Sequence, residues 1–430
     1  MKKFLRFFVV ASIFATTLFA FDSRVPNLNN KQIDKFILGL SFFSKPWIPA
    51  PTATTARDGL GPLFSSNSCN HCHQNNTGGY VYNQKGEVSR EMVPRLSMPG
   101  KLSKNSHLGF IPTPHYGAQL SINGTVGVPY EGKLELKYKK IKITFPDKSI
   151  VYLRNPHYSI DHLQYGKLAK NYILSVRRGP PLLGVGYIED ISKKDILKNV
   201  DVNDKNHDGI SGKANYVYDI KAKKFALGLY DYKDYAPTLR QQVATAMHND
   251  MSLNTTYFTK DNCTKIEKAC LNAPKPFDAI DAPDFRIDAI AYYIEKLQIP
   301  KPAKNIDKKG QKLFTSLKCA LCHIPTFKNK KGGFLHPYSD FLLHDMGKAL
   351  ADKRTEYLAK GNEWRTAPLW GMNYRVYKSN TKQVFLHDGR ARTIQEAILW
   401  HGGEAKKSKE NFMHLEKNDR KHLINFVKGL

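Results

Sequence analysis

The sequence predicts a mainly α-helical protein built from two similar units, the first interrupted by a large insertion of loops and a β-hairpin. The frame LFxxxxCxxCH occurs at residues 63–73 and again at residues 313–323. Each copy is followed later in the chain by one apolar helical pattern, at Ile290–Leu297 and at Leu423–Leu430. Helical periodicity is weak from about residue 80 to residue 230, where alternating apolar residues favour strands.

The pentad CxxCH in each frame is the sequence by which haem is attached covalently in c-type cytochromes. Two thiols one helical turn apart bind the haem vinyl groups, and the adjacent histidine reaches the iron. A CxxC redox pair and half of a zinc site are the alternatives, but two complete pentads are too many for chance. We therefore predict two covalently bound haems c in two cytochrome c-like domains. Their attachment residues are Cys69, Cys72 and His73, and Cys319, Cys322 and His323.

The first twenty residues have the composition of a cleavable secretory signal peptide. Basic residues precede the apolar run Phe7–Phe19, and Ala20 is a small residue suited to cleavage. The run is too short to span a bilayer comfortably, and we predict no membrane span after its removal. Covalent haem attachment outside the cytoplasm agrees with export, so we predict a periplasmic protein.

The chain has 430 residues, which suits two or three domains. We predict a first haem domain at residues 21–299, with the insertion at about 80–230, and a second at residues 304–430. The formal charge of +28 suggests an acidic electron donor or acceptor, or contact with anionic surfaces of the cell envelope. A solvated lysine coat explains the charge equally well. Nucleic acid is not a sensible partner for an exported haem protein.

Several elements of the first domain can be predicted in order. The apolar segment Phe36–Trp47 reads as an arm that packs on the domain, and Gly59 and Gly61 lie where we expect the first helix to begin. Alternation from Leu134 to Leu153 predicts a hairpin, with a bulge where the alternation slips by one residue. Amphipathic helices follow at 238–251 and 284–297.

Two further features of the first domain suggest bound calcium and a disulfide. Asp204, Asn206 and Asp208 match the first half of an EF-hand loop, but Asn215 replaces the glutamate at its twelfth position. A calcium ion and a plain turn rich in Asp and Asn remain alternatives. Cys263 and Cys270 lie in a lysine-rich loop and are expected to form a disulfide in an oxidising compartment, the alternative being free thiols.

Longer stretches resemble the dihaem oxidoreductases labelled "thiol oxidoreductase", which are similar to dihaem cytochrome c peroxidases and to the methylamine-utilisation dihaem enzyme. They are RDGLGPLFSSNSCNHCH, RRGPPLLGVGYIEDI, NHDGISGKAN, HPYSDFLLHDMGKALAD, EWRTAPLWGM and LHDGRARTIQEAILWHGGEA. The resemblance covers nearly all of the chain from Arg57 onward and is loose at residues 80–155.

The resemblance implies an iron ligand on the far side of the second haem. In the peroxidases, a sequence similar to FLHDGRARTIQEAILWHG carries a methionine ligand, and here His401 stands at that place. Histidine in place of methionine would lower the haem potential. Met346 and His344 are rival ligands. Arg390 is a candidate for binding a haem propionate, with an ordinary surface ion pair as the alternative.

The peroxidases also carry a helix with a distal acid above the first haem, and TLRQQVATAMHNDM resembles that helix. The resemblance would put Gln241 or Gln242 and Asp250 on the distal side, although the family's acid is glutamate. A carboxylate there could move a proton between the oxygens of peroxide. A solvated residue at a helix end is the alternative for Asp250, and His248 is a candidate distal ligand.

These observations predict a periplasmic dihaem oxidoreductase of peroxidase type. The C-terminal haem would relay electrons, and the N-terminal haem would be the reaction site for peroxide or another small oxidant. Two other functions remain open. One is pure electron transfer with both irons fully ligated, and the other is redox handling of a thiol or of iron for another exported protein.

Overall fold

The computed structural model describes residues 24–103, 106–379 and 383–430. The chain is 28% helical and 20% strand, so the prediction of a mainly α-helical protein is wrong. Within the described residues the long connections form six two-stranded antiparallel sheets. Pairing of this kind satisfies backbone N–H and C=O groups that burial would otherwise leave without partners. The predicted signal peptide lies outside the described residues.

Helices contribute many of the buried residues of the two largest hydrophobic clusters. In chain order they are α1 Asn30–Ser44, α2 Cys69–Cys72, α3 Lys193–Leu197, α4 Leu239–Met251, α5 Lys268–Leu271, α6 Asp284–Glu295, α7 Lys308–Ser316, α8 Met372–Tyr377, α9 Ile394–Trp400, α10 Lys406–Met413 and α11 Lys417–Gly429. Short 3-10 turns lie at Gln74–Asn76, Val185–Asp190, Cys319–Leu321 and Gly403–Ala405. In the described ranges, no helix is long and apolar enough to cross a membrane.

The strands pair mostly with a neighbour in sequence. They are β1 Leu63–Phe64, β2 Met92–Ser97, β3 Asn123–Gly124, β4 Lys133–Thr144, β5 Ile150–Asp161, β6 Ile173–Arg178, β7 Tyr216–Asp219, β8 Lys224–Leu227, β9 Phe327–Lys328, β10 Phe334–Leu335, β11 Leu343–Asp345 and β12 Glu363–Arg365. The pairs are β1 with β3, β2 with β6, β4 with β5, β7 with β8, β9 with β10, and β11 with β12.

The first helical unit is closed by α1 crossing α6. A Cβ atom added at Gly39 would lie 2.0 Å from the carbonyl oxygen of Ala289, so only glycine allows this approach. Phe43, one turn later, contacts Tyr293 with ring centroids 4.9 Å apart. The prediction that the first helix begins near Gly59 and Gly61 is therefore wrong. Its place is taken by the segment expected to be only an arm, and residues around Gly59 form irregular backbone.

The second unit is closed in the same way by α7 crossing α11. A Cβ atom at Gly310 would lie 2.1 Å from the carbonyl oxygen of His422. Phe314, again one turn later, contacts Phe426 with ring centroids 5.3 Å apart. Tyr293 and Phe426 are equivalent positions of the repeated apolar pattern. The two units therefore share one helix crossing.

The β4–β5 hairpin joins the two units. Its register runs without a break from Lys133 opposite Asp161 to Thr144 opposite Ile150, so the predicted bulge is absent. The slip in the alternation is absorbed because Lys139 and Lys140, at the slip, are both exposed. At the tip, Phe145 belongs to the core of the second unit and contacts Phe412. The insertion thus packs on the second unit as well as the first.

Candidate functional site

The first cysteine motif lies on the short helix α2 and holds a buried histidine in one orientation. The Nδ1 atom of His73 lies 2.8 Å from the carbonyl oxygen of Pro180, so this nitrogen carries the proton and donates. Burial lowers the pKa of His73 to about 4, which keeps the ring neutral at pH 7. The other ring nitrogen, Nε2, is then the one with a lone pair for a metal.

The second cysteine motif repeats this arrangement on a 3-10 turn. The Nδ1 atom of His323 lies 2.8 Å from the carbonyl oxygen of Tyr338, and burial lowers the pKa of His323 to about 4. Within the described residues, Cys319 and Cys322 are unbridged, as are Cys69 and Cys72. Each motif therefore presents two thiols and one neutral imidazole with a defined tautomer. This is the donor set that covalent haem attachment requires.

A large cavity lies against the second motif. Cys319, Cys322 and His323 line one part of its wall, and His401 and Met346 also line it. Most of the remaining lining is apolar, including Leu350, Trp364, Leu369, Trp370, Phe385, Ile394, Phe412 and Leu423. An apolar cavity with an imidazole from the CxxCH motif fits a haem macrocycle.

Buried arginines in the cavity supply the charge that a haem's propionates need. Arg375 is buried, and burial lowers its pKa to about 9. Its guanidinium donates hydrogen bonds to the amide oxygen of Gln383 and to the sulfur of Met372. No carboxylate among the described residues pairs with it. Arg178, also buried, donates to the carbonyl oxygens of Leu386 and Gly79. Buried cations that lack a carboxylate are costly alone, and bound anionic groups would stabilise them.

A hydrogen bond from Nδ1 to a backbone carbonyl oxygen orients His401, as it does the two motif histidines. Helix α9 begins after Thr393, whose side chain accepts from the backbone N–H of Glu396, as the sequence predicts. The helix ends at His401, whose Nδ1 lies 2.7 Å from the carbonyl oxygen of Ala397. Burial lowers the pKa of His401, which keeps its ring neutral, and the ring lines the same cavity as His323.

The two rival ligands, His344 and Met346, differ in whether they are free to bind a metal. Both ring nitrogens of His344 are held by carboxylates, Nε2 at 2.8 Å from Asp340 and Nδ1 at 2.7 Å from Glu404. Although burial acts to lower it, these hydrogen bonds raise the pKa of His344 well above its ordinary value, so the ring is cationic and has no free lone pair. Met346 lines the cavity and remains an alternative to His401.

Arg390 is engaged within the protein. Its guanidinium forms hydrogen bonds to Asp388 at 2.8 to 3.1 Å and donates to the carbonyl oxygen of Ala349. It also lies 4.7 Å from the ring centroid of Trp400. These contacts occupy the donors that a propionate would use, and Arg375 and Arg178 are better placed in the cavity wall.

Asp250 lies beside the first motif. Its Oδ1 accepts a hydrogen bond of 2.9 Å from Nε2 of Gln119, and burial raises its pKa. Burial and, next, the Asp250 charge raise the pKa of Cys69 to about 12, and the pKa of Cys72 is raised by the same causes. The backbone carbonyl of Asp250 accepts from the N–H groups of Ser65 and Ser66, a few residues before Cys69, so Asp250 lies beside the first motif.

The other predicted residues of helix α4 have different surroundings. Gln241 is buried and bonds the backbone of Ile220 and Tyr218, which fixes strand β7. Gln242 has a buried Oε1 atom with no hydrogen-bond partner among the described residues. His248 stacks on Phe258 with ring centroids 4.6 Å apart. Gln241 is thus used for structure, whereas Asp250 is adjacent to the motif.

The loop at Asp204, Asn206 and Asp208 uses its side chains on its own backbone. Asp204 accepts from the N–H of Gly209, and Asp208 accepts from that of Ile210. In the part of the chain that the structure describes, no group of three or more His, Cys, Asp or Glu residues is arranged to hold a metal ion. Bound calcium remains a prediction. In the lysine-rich loop of the first domain, Cys263 and Cys270 are bonded to each other.

The sequence does not reveal the aromatic contacts of the cavity wall. Trp364 stacks on His387 with ring centroids 3.8 Å apart, and Tyr232 lies edge-on to Trp364 at 6.4 Å. The hydroxyl of Tyr232 is buried without a partner among the described residues. His387 belongs to the LHDG segment and Trp364 to the EWR segment. The sequence shows both segments but not the contact between them.

Comparison with known proteins places the chain in a family. The model described as "Di-haem oxidoreductase, putative peroxidase" matches residues 9–430. No curated protein sequence matches the chain. Among solved structures, the chain is similar to a chain of the hydrazine synthase of Kuenenia stuttgartiensis, studied under 20 bar of xenon, with 13% sequence identity. That match covers 96% of this chain and 92% of the other, with a TM-score of 0.35, and it carries no argument about function.

Proposed function

Because this chain belongs to the di-haem oxidoreductase family, we propose that it is a periplasmic enzyme that reduces peroxide or another small oxidant. The haems would be attached covalently through the two cysteine motifs. For hydrogen peroxide, two electrons and two protons would yield two molecules of water. When bound, each haem iron supplies one-electron redox chemistry by alternating between its ferric and ferrous states. The chain's own residues would hold the haems and deliver protons.

The division of labour between the units is the finer part of the proposal. We assign electron relay to the C-terminal haem, with His401 as its second iron ligand. The observation that carries this assignment is the neutral imidazole of His401, whose Nδ1 is bound to Ala397 and whose Nε2 is left for a metal in the cavity of His323. Two histidine ligands would leave that iron without an open position, as a relay requires.

Asp250 is the candidate proton carrier at the N-terminal haem. Burial raises its pKa, which moves the carboxyl towards the range where it can both accept and donate a proton near neutral pH. Gln119 fixes one carboxyl oxygen by donating to Oδ1, so the carboxyl group keeps one orientation. Such a group would take a proton from one oxygen of a bound peroxide and give it to the other.

Low-temperature electron paramagnetic resonance of the oxidised and half-reduced protein tests the division of labour. We expect a high-spin ferric signal from the N-terminal haem that persists or develops on half-reduction, beside a low-spin signal from the C-terminal haem. Two low-spin signals in both states would contradict the enzyme proposal and favour pure electron transfer.

Substitution of the proton carrier tests the chemistry. We expect Asp250→Asn to lower peroxide turnover by about 10²- to 10⁴-fold while the haem content stays the same. Asp288→Asn is the matched control, because Asp288 is an exposed carboxylate paired with Arg240. Equal activity in both variants would exclude Asp250 as the proton carrier.

Sequencing of the mature N-terminus checks export, with cleavage expected after Ala20.

A further inference from the structure

Five aromatic rings form a continuous row at the surface of the protein, named here the aromatic surface. Two of the five residues are exposed and the three tyrosines are half-buried. They belong to His107, Tyr218, Phe225, Tyr357 and Tyr235. Neighbouring ring centroids in this order are 3.7, 5.7, 6.2 and 5.5 Å apart. Phe225 is 52% exposed, and Leu108 and Leu358, next in sequence to His107 and Tyr357, are 45% and 53% exposed.

The aromatic surface is held rigidly. The hydroxyl of Tyr235 donates to the carbonyl oxygen of Leu108 at 2.8 Å, and the N–H of Tyr357 donates to that of Gly109 at 2.7 Å. Tyr218 and Phe225 face each other across the β7–β8 hairpin. Exposed aromatic residues that are contiguous and fixed in place are typical of a protein–protein interface, because they bury large areas with little loss of side-chain freedom.

The surroundings of the aromatic surface are basic. Lys223 and Lys224 adjoin Phe225, and Lys353 and Lys360 belong to the loop that carries Tyr357. All four are exposed, and no ion-pair partner for them is found in the described ranges. The nearest acidic residue in the hairpin, Asp219, is half-buried and accepts from the backbone N–H groups of Lys221 and Ala222. Charge complementarity therefore selects an acidic partner.

Buried contacts connect this face with the cavity of the second unit. Lys233 is fully buried, and its Nζ bonds Asp352 and the carbonyl oxygens of Arg354 and Lys360, which lie in the loop of Tyr357. The same Nζ lies 4.4 Å from the ring centroid of Trp364, a residue of the cavity wall. In sequence, Tyr232 of the cavity precedes Tyr235 of the aromatic surface by three residues.

We propose that the aromatic surface is the docking site of an acidic, soluble one-electron carrier protein. Each encounter would oxidise the carrier by one electron and reduce one haem iron from ferric to ferrous, through the cavity behind Trp364. The inference rests on the proposed function to the extent that a haem in that cavity must accept the electron. Lysines would speed the encounter, and the aromatic residues would hold the complex.

The test is stopped-flow reduction of the full haem-loaded protein by a reduced, acidic [2Fe–2S] ferredoxin. At low ionic strength we expect Lys223→Glu combined with Lys224→Glu to lower the second-order rate constant about tenfold or more. The matched control combines Lys407→Glu with Lys421→Glu, which changes the net charge equally at another exposed place. An equal loss in the control pair would overturn the proposal, because only total charge would matter.

The aromatic contacts are tested separately. Phe225→Ser combined with Leu358→Ser should lower the rate constant several-fold at all salt concentrations, and Phe334→Ser, which alters a phenylalanine that is 61% exposed elsewhere, should not. Reduction by dithionite, which needs no docking, should be unchanged in every variant. An equal loss with dithionite would overturn the proposal.

Two further results separate the alternatives. Dissociation of a homodimer by the Phe225→Ser and Leu358→Ser changes, measured by sedimentation, would overturn the proposal because a second copy would be the occupant. A wild-type protein that accepts electrons at this face but does not reduce peroxide would contradict the proposed function and support the docking site.

Discussion

The two units attach their cysteine motifs to the same helix crossing by different routes. In the second unit, Phe314 contacts both Phe426 of the closing helix and His323 of the motif. In the first unit, Phe43 makes the equivalent contacts with Tyr293 and His73. Each phenylalanine lies four residues after the glycine of its crossing, so the common element is GxxxF.

This equivalence shows that the two LFxxxxCxxCH segments do not correspond to each other along their whole length. The leucine–phenylalanine pair of LFxxxxCxxCH lies in helix α7 in the second unit but forms strand β1 in the first, where Leu63 pairs with Gly124. Phe64 is therefore not the counterpart of Phe314. Gly61 and Pro62 precede the pair in the first unit and disfavour a helix there. The two similar segments adopt different structures because the residues that precede them differ.

The first unit therefore has an additional connection between its helix and its motif. Phe314 is followed closely by Cys319, whereas a long irregular segment separates Phe43 from Cys69. That segment packs against residues such as Ser252 and Asp281, which crowd Gly61 and Gly59. The first motif is thereby brought to Asp250, while the second faces a cavity lined by His401. The two sites thus have different partners available.

The largest expected effect comes from removing the thiols of one unit. Cys69→Ser combined with Cys72→Ser should reduce the covalent haem content from two per chain to one, and so should Cys319→Ser combined with Cys322→Ser. Haem per chain is measured after acid extraction of unbound haem. Loss of both haems in either variant would show that the units do not load independently.

Removal of the second ligand should distinguish the units next. We expect His401→Ala to convert the low-spin signal of the C-terminal haem to high spin, since the iron loses one of two strong ligands. Met346→Leu is the matched control and should leave the low-spin signal in place. The opposite result would assign the ligand to Met346.

How much could be predicted from sequence depended on whether a signal was local. The cysteine motifs, the N-cap Thr393 and the extents of α4 and α6 follow from short-range patterns, and the structure has them close to the expected bounds. The partners of these residues are distant in sequence. The contact of Trp364 with His387, and that of Gln119 with Asp250, depends on tertiary packing that no periodicity encodes.

The fold class was wrong for a related reason. Short ladders such as β11–β12 and β9–β10 contain two or three residues per strand, too few to produce an alternating pattern. The sequence predicts the first helix in the wrong place because Gly59 and Gly61 lie close to the motif, whereas the GxxxF pattern that forms the crossing lies in the apolar segment before them. That pattern was present in both units at GLSFF and GQKLF.

The helix crossings should respond equally to a glycine substitution. Gly39→Ala and Gly310→Ala each introduce a Cβ atom into a backbone carbonyl, and we expect each to reduce the free energy of unfolding by about 1–3 kcal/mol. Gly429→Ala in α11 is the control, because its nearest neighbours are side-chain atoms at 3.2 and 3.6 Å. Urea denaturation checks the values. A loss at only one crossing would break the equivalence of the units.

A further effect on stability is expected in the first unit alone, and only at high pH. Glu131 and Glu267 are buried together, and burial, followed by the hydrogen bond and the charge of Glu267, raises the pKa of Glu131 well above 4.5. A carboxyl group whose pKa is higher in the folded than in the unfolded protein contributes its full stabilisation below the pKa of the unfolded protein. For Glu131, this contribution is lost as the pH rises from about 4.5 through the pKa of the folded protein.

Glu131→Gln should therefore stabilise the protein at pH 8, by about 1–3 kcal/mol, and change little at pH 4. The amide can still accept from the N–H of Ser121 and can donate to Glu267, so the pair is kept without a second charge. Glu87→Gln is the control, because Glu87 is exposed. Urea denaturation at the two pH values measures the effect. A variant that is destabilised at pH 8 would mean that the carboxylate is ionised and favourable there, and the first unit would have no such pH dependence.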